Sequence, residues 1–155
     1  MHKTFFVVMG ALMSLAGFSQ DEAALRKQQF NTPDGIAIKG YDPVAYFTEN
    51  KAVTGSKDQA TVYKGITYYF SSEANHEAFK KDPARYEPQY GGWCAYAMGK
   101  NGTKVEVDPA TFKIVGGKLF LFYNQFFNNT LKSWNKDEAN LHRQADNNWA
   151  HLFTH

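Results

Sequence analysis

Residues 61-TVYKGITYYF-70 set two runs of β-branched and aromatic side chains on either side of Lys64-Gly65. A two-residue link ending in glycine between such runs predicts a tight β-hairpin, because the turn needs backbone angles that glycine adopts freely. The pattern returns in 112-FKIVGGKLFLFY-123, where Gly116-Gly117 supplies the turn and Phe112, Ile114, Leu119, Leu121 and Tyr123 alternate toward one face. Together the two hairpins predict a four-stranded antiparallel core, and residues 36–38 offer a strand that could extend it.

Outward from the hairpins, the apolar period lengthens to that of a helix. Ser71 or Ser72 can cap 73-EANHEAFKKD-82, since a hydroxyl there accepts from an otherwise unpaired first-turn amide, and Pro83 ends the segment. Between residues 125 and 152, Leu131, Trp134, Leu141, Ala145, Trp149 and Leu152 recur at intervals of three, four or seven. That spacing predicts helix with one apolar stripe, broken near residues 135–137. Asp42-Pro43 can open a helical turn that carries Val44, Ala45, Tyr46 and Phe47 inward. Residues 20–30 read as a short helix or a disordered lead-in. The fold class that follows is α+β: a small antiparallel sheet built from two hairpins, packed against a short central helix and C-terminal helices.

The chain has 155 residues, and its first nineteen differ in kind from the rest. His2 and Lys3 precede an apolar run over residues 5–18, small residues follow, and polarity sets in at Gln20. This is the layout of a signal peptide, residues 1–19, and it predicts a periplasmic or secreted protein. The run is shorter than the roughly 17–25 residues that cross a bilayer, so no stable span is expected once the leader is removed. Residues 20–34 then form a lead-in and residues 35–152 one domain with a C-terminal helical extension.

A formal net charge of +2, with both signs interspersed, offers no broad basic surface and argues against nucleic acid as partner. One cysteine in an exported chain means no internal disulfide, so the core holds the fold unaided. With 16% aromatic residues, burying rings is how a small domain gathers enough apolar area.

The chemistry-bearing stretch is 90-YGGWCAYAMG-99. Cys94 and Met98, four residues apart, fall on one face of a helix and pair a thiolate with a thioether, soft ligands that suit Cu(I). His76 is the third candidate ligand. The opposite reading is that cysteine and methionine fill the core beside Trp93, Tyr96 and Ala97. A third reading, a disulfide between two copies, needs Cys94 exposed. His142 and His151, nine residues apart, fall on opposite helix faces and read as solvated.

No phosphate-cradling loop, Cys-x-x-Cys or His-x-x-x-His occurs. Glu106 and Asp108 read as exposed, and no base is forced beside Cys94, so no catalytic residues and no enzyme are expected. Tyr41, Tyr46, Tyr69, Tyr90 and Tyr96 bring hydroxyls to the core edge, where they line a small polar pocket or tie loops together.

Taken in order, 40-GYDPVAYF-47, 62-VYKGITYYF-70, 71-SSEANHEAF-79, 82-DPARY-86, 88-PQYGGWCAYA-97, 108-DP-109, 119-LFLFY-123, Trp134 and 145-ADNNW-149 resemble YHS domain proteins of the exported bacterial type, over roughly residues 35–150. Metal-handling YHS modules carry three cysteines, and residue-by-residue alignment puts Ala45, Ser71 and Asn75 at those positions. The resemblance implies an exported accessory binding domain, with a transition metal such as copper as the ligand to test first. The alternative is a module for a small molecule or a partner protein, with Cys94 buried and structural. Oligomeric state is left open.

Overall fold

The computed structural model describes residues 14–154. The leader expected over residues 1–19 lies largely outside them, and residues 14–19 are the first turns of helix α1, Ser14–Gln29. Helix, rather than disorder, is therefore the state of residues 20–29, and the segment is tied to the body. Arg26 Nε donates to Lys64 O at 3.0 Å, and its guanidinium meets Glu87 at 2.6 Å. A Cβ at Gly65 would sit 3.0 Å from Ala23 Cβ, which shows how closely α1 crosses the first hairpin turn.

Two tight turns, Pro33–Gly35 and Ala37–Gly40, lead into the four-residue helix α2, Ala45–Thr48. The strand expected at 36–38 is not formed. Ile38 and Lys39 have φ of 53° and 52°, which no strand allows, and only Ile36 bridges to Thr67.

Strands β1, Ser56–Tyr63, and β2, Ile66–Phe70, form the first hairpin, with Tyr63 opposite Ile66. Ile66, Tyr68 and Phe70 point inward and are buried, while Thr67 and Tyr69 stay partly exposed. Helix α3, Glu73–Lys81, starts where expected, with Ser72 Oγ accepting from Asn75 N at 3.1 Å. The short helix α4, Pro83–Tyr86, and a turn at Gln89–Gly92 lead to α5, Ala95–Asn101.

The second hairpin pairs β3, Asp108–Val115, with β4, Lys118–Phe122. Four successive residues of β4, Leu119 to Phe122, are buried, so both faces are covered, not one. Leu119 and Leu121 join a cluster with Ile66, Tyr68, Phe70, Phe79 and Cys94. Phe120 and Phe122 join the other, with Met98, Trp134, Leu141 and Ala145. The hairpins remain separate two-stranded sheets instead of one four-stranded sheet. The free edge of β4 bridges to Pro88.

Residues 124–129, with helix expected from residue 125 onward, form a third, minimal hairpin: β5, Asn124–Gln125, and β6, Asn128–Asn129. Its two-residue turn is Phe126-Phe127, at φ 51° and 61°. Left-handed backbone costs a non-glycine residue about 1–2 kcal/mol. The helical region then runs as α6, Thr130–Asn135, and α7, Glu138–His151, broken where the Asn-Lys-Asp sequence predicts. Helix α7 lies close on α5, with Asn148 Nδ2 donating to Met98 O at 2.8 Å. Among the described residues no helix is long and apolar enough to cross a membrane.

Candidate functional site

The chain reaches Cys94 through Tyr90, Gly91 and Gly92, all at positive φ. At Gly91 the reason is also steric, since a Cβ there would lie 2.8 Å from the Trp149 ring and 3.0 Å from Phe30 Cα. Trp93 Nε1 donates to Gln29 O at 2.7 Å, and Cys94 N donates to Val105 O at 2.9 Å. These bonds deliver the thiol, fully buried, to the start of α5.

There the thiol closes a ring of hydrogen bonds. Tyr123 N donates to Cys94 Sγ at 3.3 Å, and Thr130 Oγ1 donates to Tyr123 O at 2.7 Å. Thr130 Oγ1 lies 3.4 Å from Cys94 Sγ. With the hydroxyl proton committed to Tyr123, the thiol is the donor in that last contact. Tyr123 precedes β5 and Thr130 follows β6, so Cys94 fastens both feet of the third hairpin. A disulfide between copies would need an exposed thiol, and this one is sealed.

Met98 is equally buried but packs in the other cluster, against Phe120, Phe122 and Trp134. His76 is engaged elsewhere. Its Nδ1 lies 2.9 Å from Gln59 Oε1, its Nε2 meets Thr61 Oγ1, and its ring stacks on Phe70 at 4.9 Å. The three residues thus sit in different surroundings. Among the described residues, no three His, Cys, Asp or Glu side chains gather as a metal would require.

The tyrosines divide between the two roles considered for them. Tyr46 donates to Pro109 O at 2.7 Å and Tyr90 to Asp146 Oδ1 at 2.9 Å, both tying separate segments. Tyr68, not singled out from sequence, donates to Glu87. Burial, first of all, raises these three phenols above their ordinary range, with neighbouring anionic groups adding to the effect. Tyr69 and Tyr96 instead face open grooves.

Sequence reasoning also missed the role of Asp42, taken only as a helix opener. Its carboxylate is fully buried and accepts five hydrogen bonds. Oδ1 takes Val44 N at 2.8 Å and Ala45 N at 3.3 Å. Oδ2 takes Ser71 N and Oγ at 2.7 Å each and Asn75 Nδ2 at 2.8 Å. Only the Asx-type bond to Val44 was predictable locally. The rest needs the first hairpin to bring Ser71 and Asn75 back to the corner.

A cleft of about 280 Å³ opens over Cys94. Tyr96, Val105 and Tyr123 form its apolar walls, and Lys100 and Asn128 stand at its rim. The Lys100 ammonium lies over the Tyr96 ring, 5.6 Å from its centroid. One wall is the foot of the third hairpin, which the thiol ring holds in place. Such a cleft suits a ligand with a flat apolar part and an anionic or hydrogen-bond-accepting group.

Residues 44–90 match the model of the YHS domain family, and the chain carries a YHS domain there. No curated protein and no solved structure matches the chain. The match covers the Asp42 corner's neighbours Ala45, Ser71 and Asn75, the positions that the alignment with metal-handling modules assigns to cysteines. In the structure these positions converge, but on a carboxylate. The Ala45 backbone amide, the Ser71 hydroxyl and the Asn75 side-chain amide all donate to Asp42, and the Ala45 methyl offers no ligand atom, so this set does not fit a soft metal. The single buried Cys94 agrees with a YHS module that lacks the paired cysteines.

Proposed function

We propose that the chain is an exported YHS-type binding module that works without a metal and without a catalytic step, and that the cleft over Cys94 receives its ligand. The observation that carries this reading is the division of labour at the cleft. Cys94 is consumed by bonds to Tyr123 and Thr130, while Tyr96, Lys100 and Asn128 face the opening. A thiol that fastens a wall is a structural group, and a cation over an aromatic ring beside apolar walls is a recognition surface. The ligand class that fits is a small aromatic or aliphatic carboxylate, or a protein segment that presents such groups.

Titration of the isotope-labelled chain with benzoate and related carboxylates, followed by amide shifts, tests the reading. Saturable shifts at Tyr96, Lys100, Val105 and Asn128, weakened by Lys100→Gln, are expected. Shifts spread over the surface, or none, would end it. Anaerobic Cu(I) titration of the native chain and of Cys94→Ala is expected to give the same weak binding in both. Tight stoichiometric binding lost in the variant would restore copper as the ligand.

A further inference from the structure

The third hairpin presents Phe126 and Phe127 at its tip, 86% and 111% exposed. Its turn takes left-handed backbone at both positions, where Asn-Gly is the favoured pair, and two phenylalanines there break the local rule. Neither ring is repaid by packing among the described residues. Yet the tip is held firmly from below, by Thr130 N to Tyr123 O at 3.0 Å, by the Cys94 ring, and by Asn124 Nδ2 to Thr111 Oγ1 at 3.0 Å. A local strain with no internal compensation points to a gain outside the chain.

The partner can be chosen on physical grounds. A bilayer is fluid and gains nothing from rings fixed in one orientation, whereas a shaped pocket does, because less freedom is lost on binding. Two phenyl groups bring no more apolar matter than a single acyl chain, which alone holds a protein to a membrane only marginally. From Leu119 to Leu131 there is no charged residue, so no electrostatic attraction is added at the tip. The same uncharged stretch, on a chain of net charge +2, leaves little repulsion between two copies.

Tip and cleft also share one face, since Tyr123, Asn128 and Thr130 at the hairpin's feet line the cleft. A donor and an acceptor side by side are what a two-fold interface requires, each copy giving to the other what it receives. Resting on the reading of the cleft as the binding site, we infer that its partner is a second copy of this chain, with the Phe126-Phe127 tip of each seated in the cleft of the other. Covering a phenylalanine removes roughly 150–250 Å² from water, so four rings remove roughly 600–1,000 Å². The linings of the two clefts add less than the rings do, so the total stays below the about 1,200 Å² at which stable interfaces begin, the size of a weak, reversible dimer.

Sedimentation velocity of the purified chain over a wide concentration range, compared with the Phe126→Asn, Phe127→Gly double variant, tests this. The substitutions remove both rings and supply the residues that the turn prefers, so the variant folds at least as well. The expected result is a reversible dimer in the native chain, weakened at least tenfold in the variant, whose thermal midpoint is unchanged or raised. A photoreactive phenylalanine analogue at position 127 should crosslink to Tyr96, Lys100 or Val105 of the other copy. A native chain that stays monomeric, a dimer that survives in the variant, or crosslinks mapping elsewhere would each overturn the inference. So would a monomer that sediments with phosphatidylcholine vesicles through its tip. If the chain is monomeric while carboxylates still shift the cleft amides, the second copy is excluded and the cleft stands; if neither occurs, both readings fall.

Discussion

The side-chain amide of Asn75 donates to the buried carboxylate of Asp42 at 2.8 Å, across 33 residues of sequence. That bond, with the two from Ser71, docks the start of α3 against the corner at which the chain enters α2. Asp42→Ala leaves five backbone and side-chain donors facing an apolar gap, and is expected to destabilise the chain by about 3–5 kcal/mol. Asn75→Ala removes one donor at a partly exposed site and is expected to cost about 1 kcal/mol. Urea midpoints with unchanged slope would measure both. An Asp42→Ala variant as stable as the native chain would deny the corner its structural role.

Cys94 should behave as a sealed thiol. Native protein is expected to resist a thiol reagent that reacts at once in denaturant, because the side chain has no exposed surface. Cys94→Ala deprives Tyr123 N of its acceptor and is expected to cost about 1–3 kcal/mol. Cys94→Ser keeps a donor and an acceptor on a shorter bond and should fall between the two. Dialysis against a strong chelator should leave the thermal midpoint where it was; a drop restored by one metal would show a site that the fold depends on.

Alkaline pH provides a separate test. Tyr46, Tyr68 and Tyr90 each have a folded pKa above the ordinary phenol value, chiefly through burial. The folded state therefore holds protons that the unfolded chain gives up near pH 10. Their stabilising contribution is complete below that pH and is lost as pH rises above it, by up to about 1.4 kcal/mol per unit for each phenol. Absorbance of tyrosinate should rise in a final cooperative step that coincides with loss of circular dichroism. Smooth ionisation of all nine tyrosines with the fold intact would contradict this.

Gly99 sets the approach of α5 to α7. A Cβ there would lie 2.5 Å from the carbonyl oxygen of Leu141, which as backbone cannot swing aside. Gly99→Ala is expected to cost about 1–3 kcal/mol through overpacking, despite alanine's better helix propensity. The loss should appear as a lower melting temperature with disturbed amides at Met98 and Asn148. A neutral or stabilising effect would mean that the helices can part freely.

What could be read along the chain was what neighbouring residues settle among themselves. Lys64-Gly65 and Gly116-Gly117 specify tight turns through backbone sterics, Ser72 caps α3 through a bond three residues long, and the 135–137 break separates two helices. The α+β class follows from those local periods. The third hairpin escaped because Phe126-Phe127 contradicts the propensity of its own turn, and the apolar stripe from Leu131 onward drew the helix too far back. The buried second face of β4 escaped because a run of apolar residues is the same whether one side is covered or both.

The sequence by itself determined the first two hairpins, the cap of α3 and the absence of paired cysteines, since each rests on residues that can be read without the fold. Only the tertiary structure decided what Cys94 and Asp42 do. The thiol's partners lie 29 and 36 residues away, and the carboxylate's partners on the first hairpin and α3 lie 29 and 33 away, so neither the thiol ring nor the docking of α3 has a local signature. Cysteine in particular is small enough to be a ligand, a nucleophile or a filler. Which of these it becomes depends on the groups that the fold brings to its sulfur, and here they are an amide and a hydroxyl from the two feet of one hairpin.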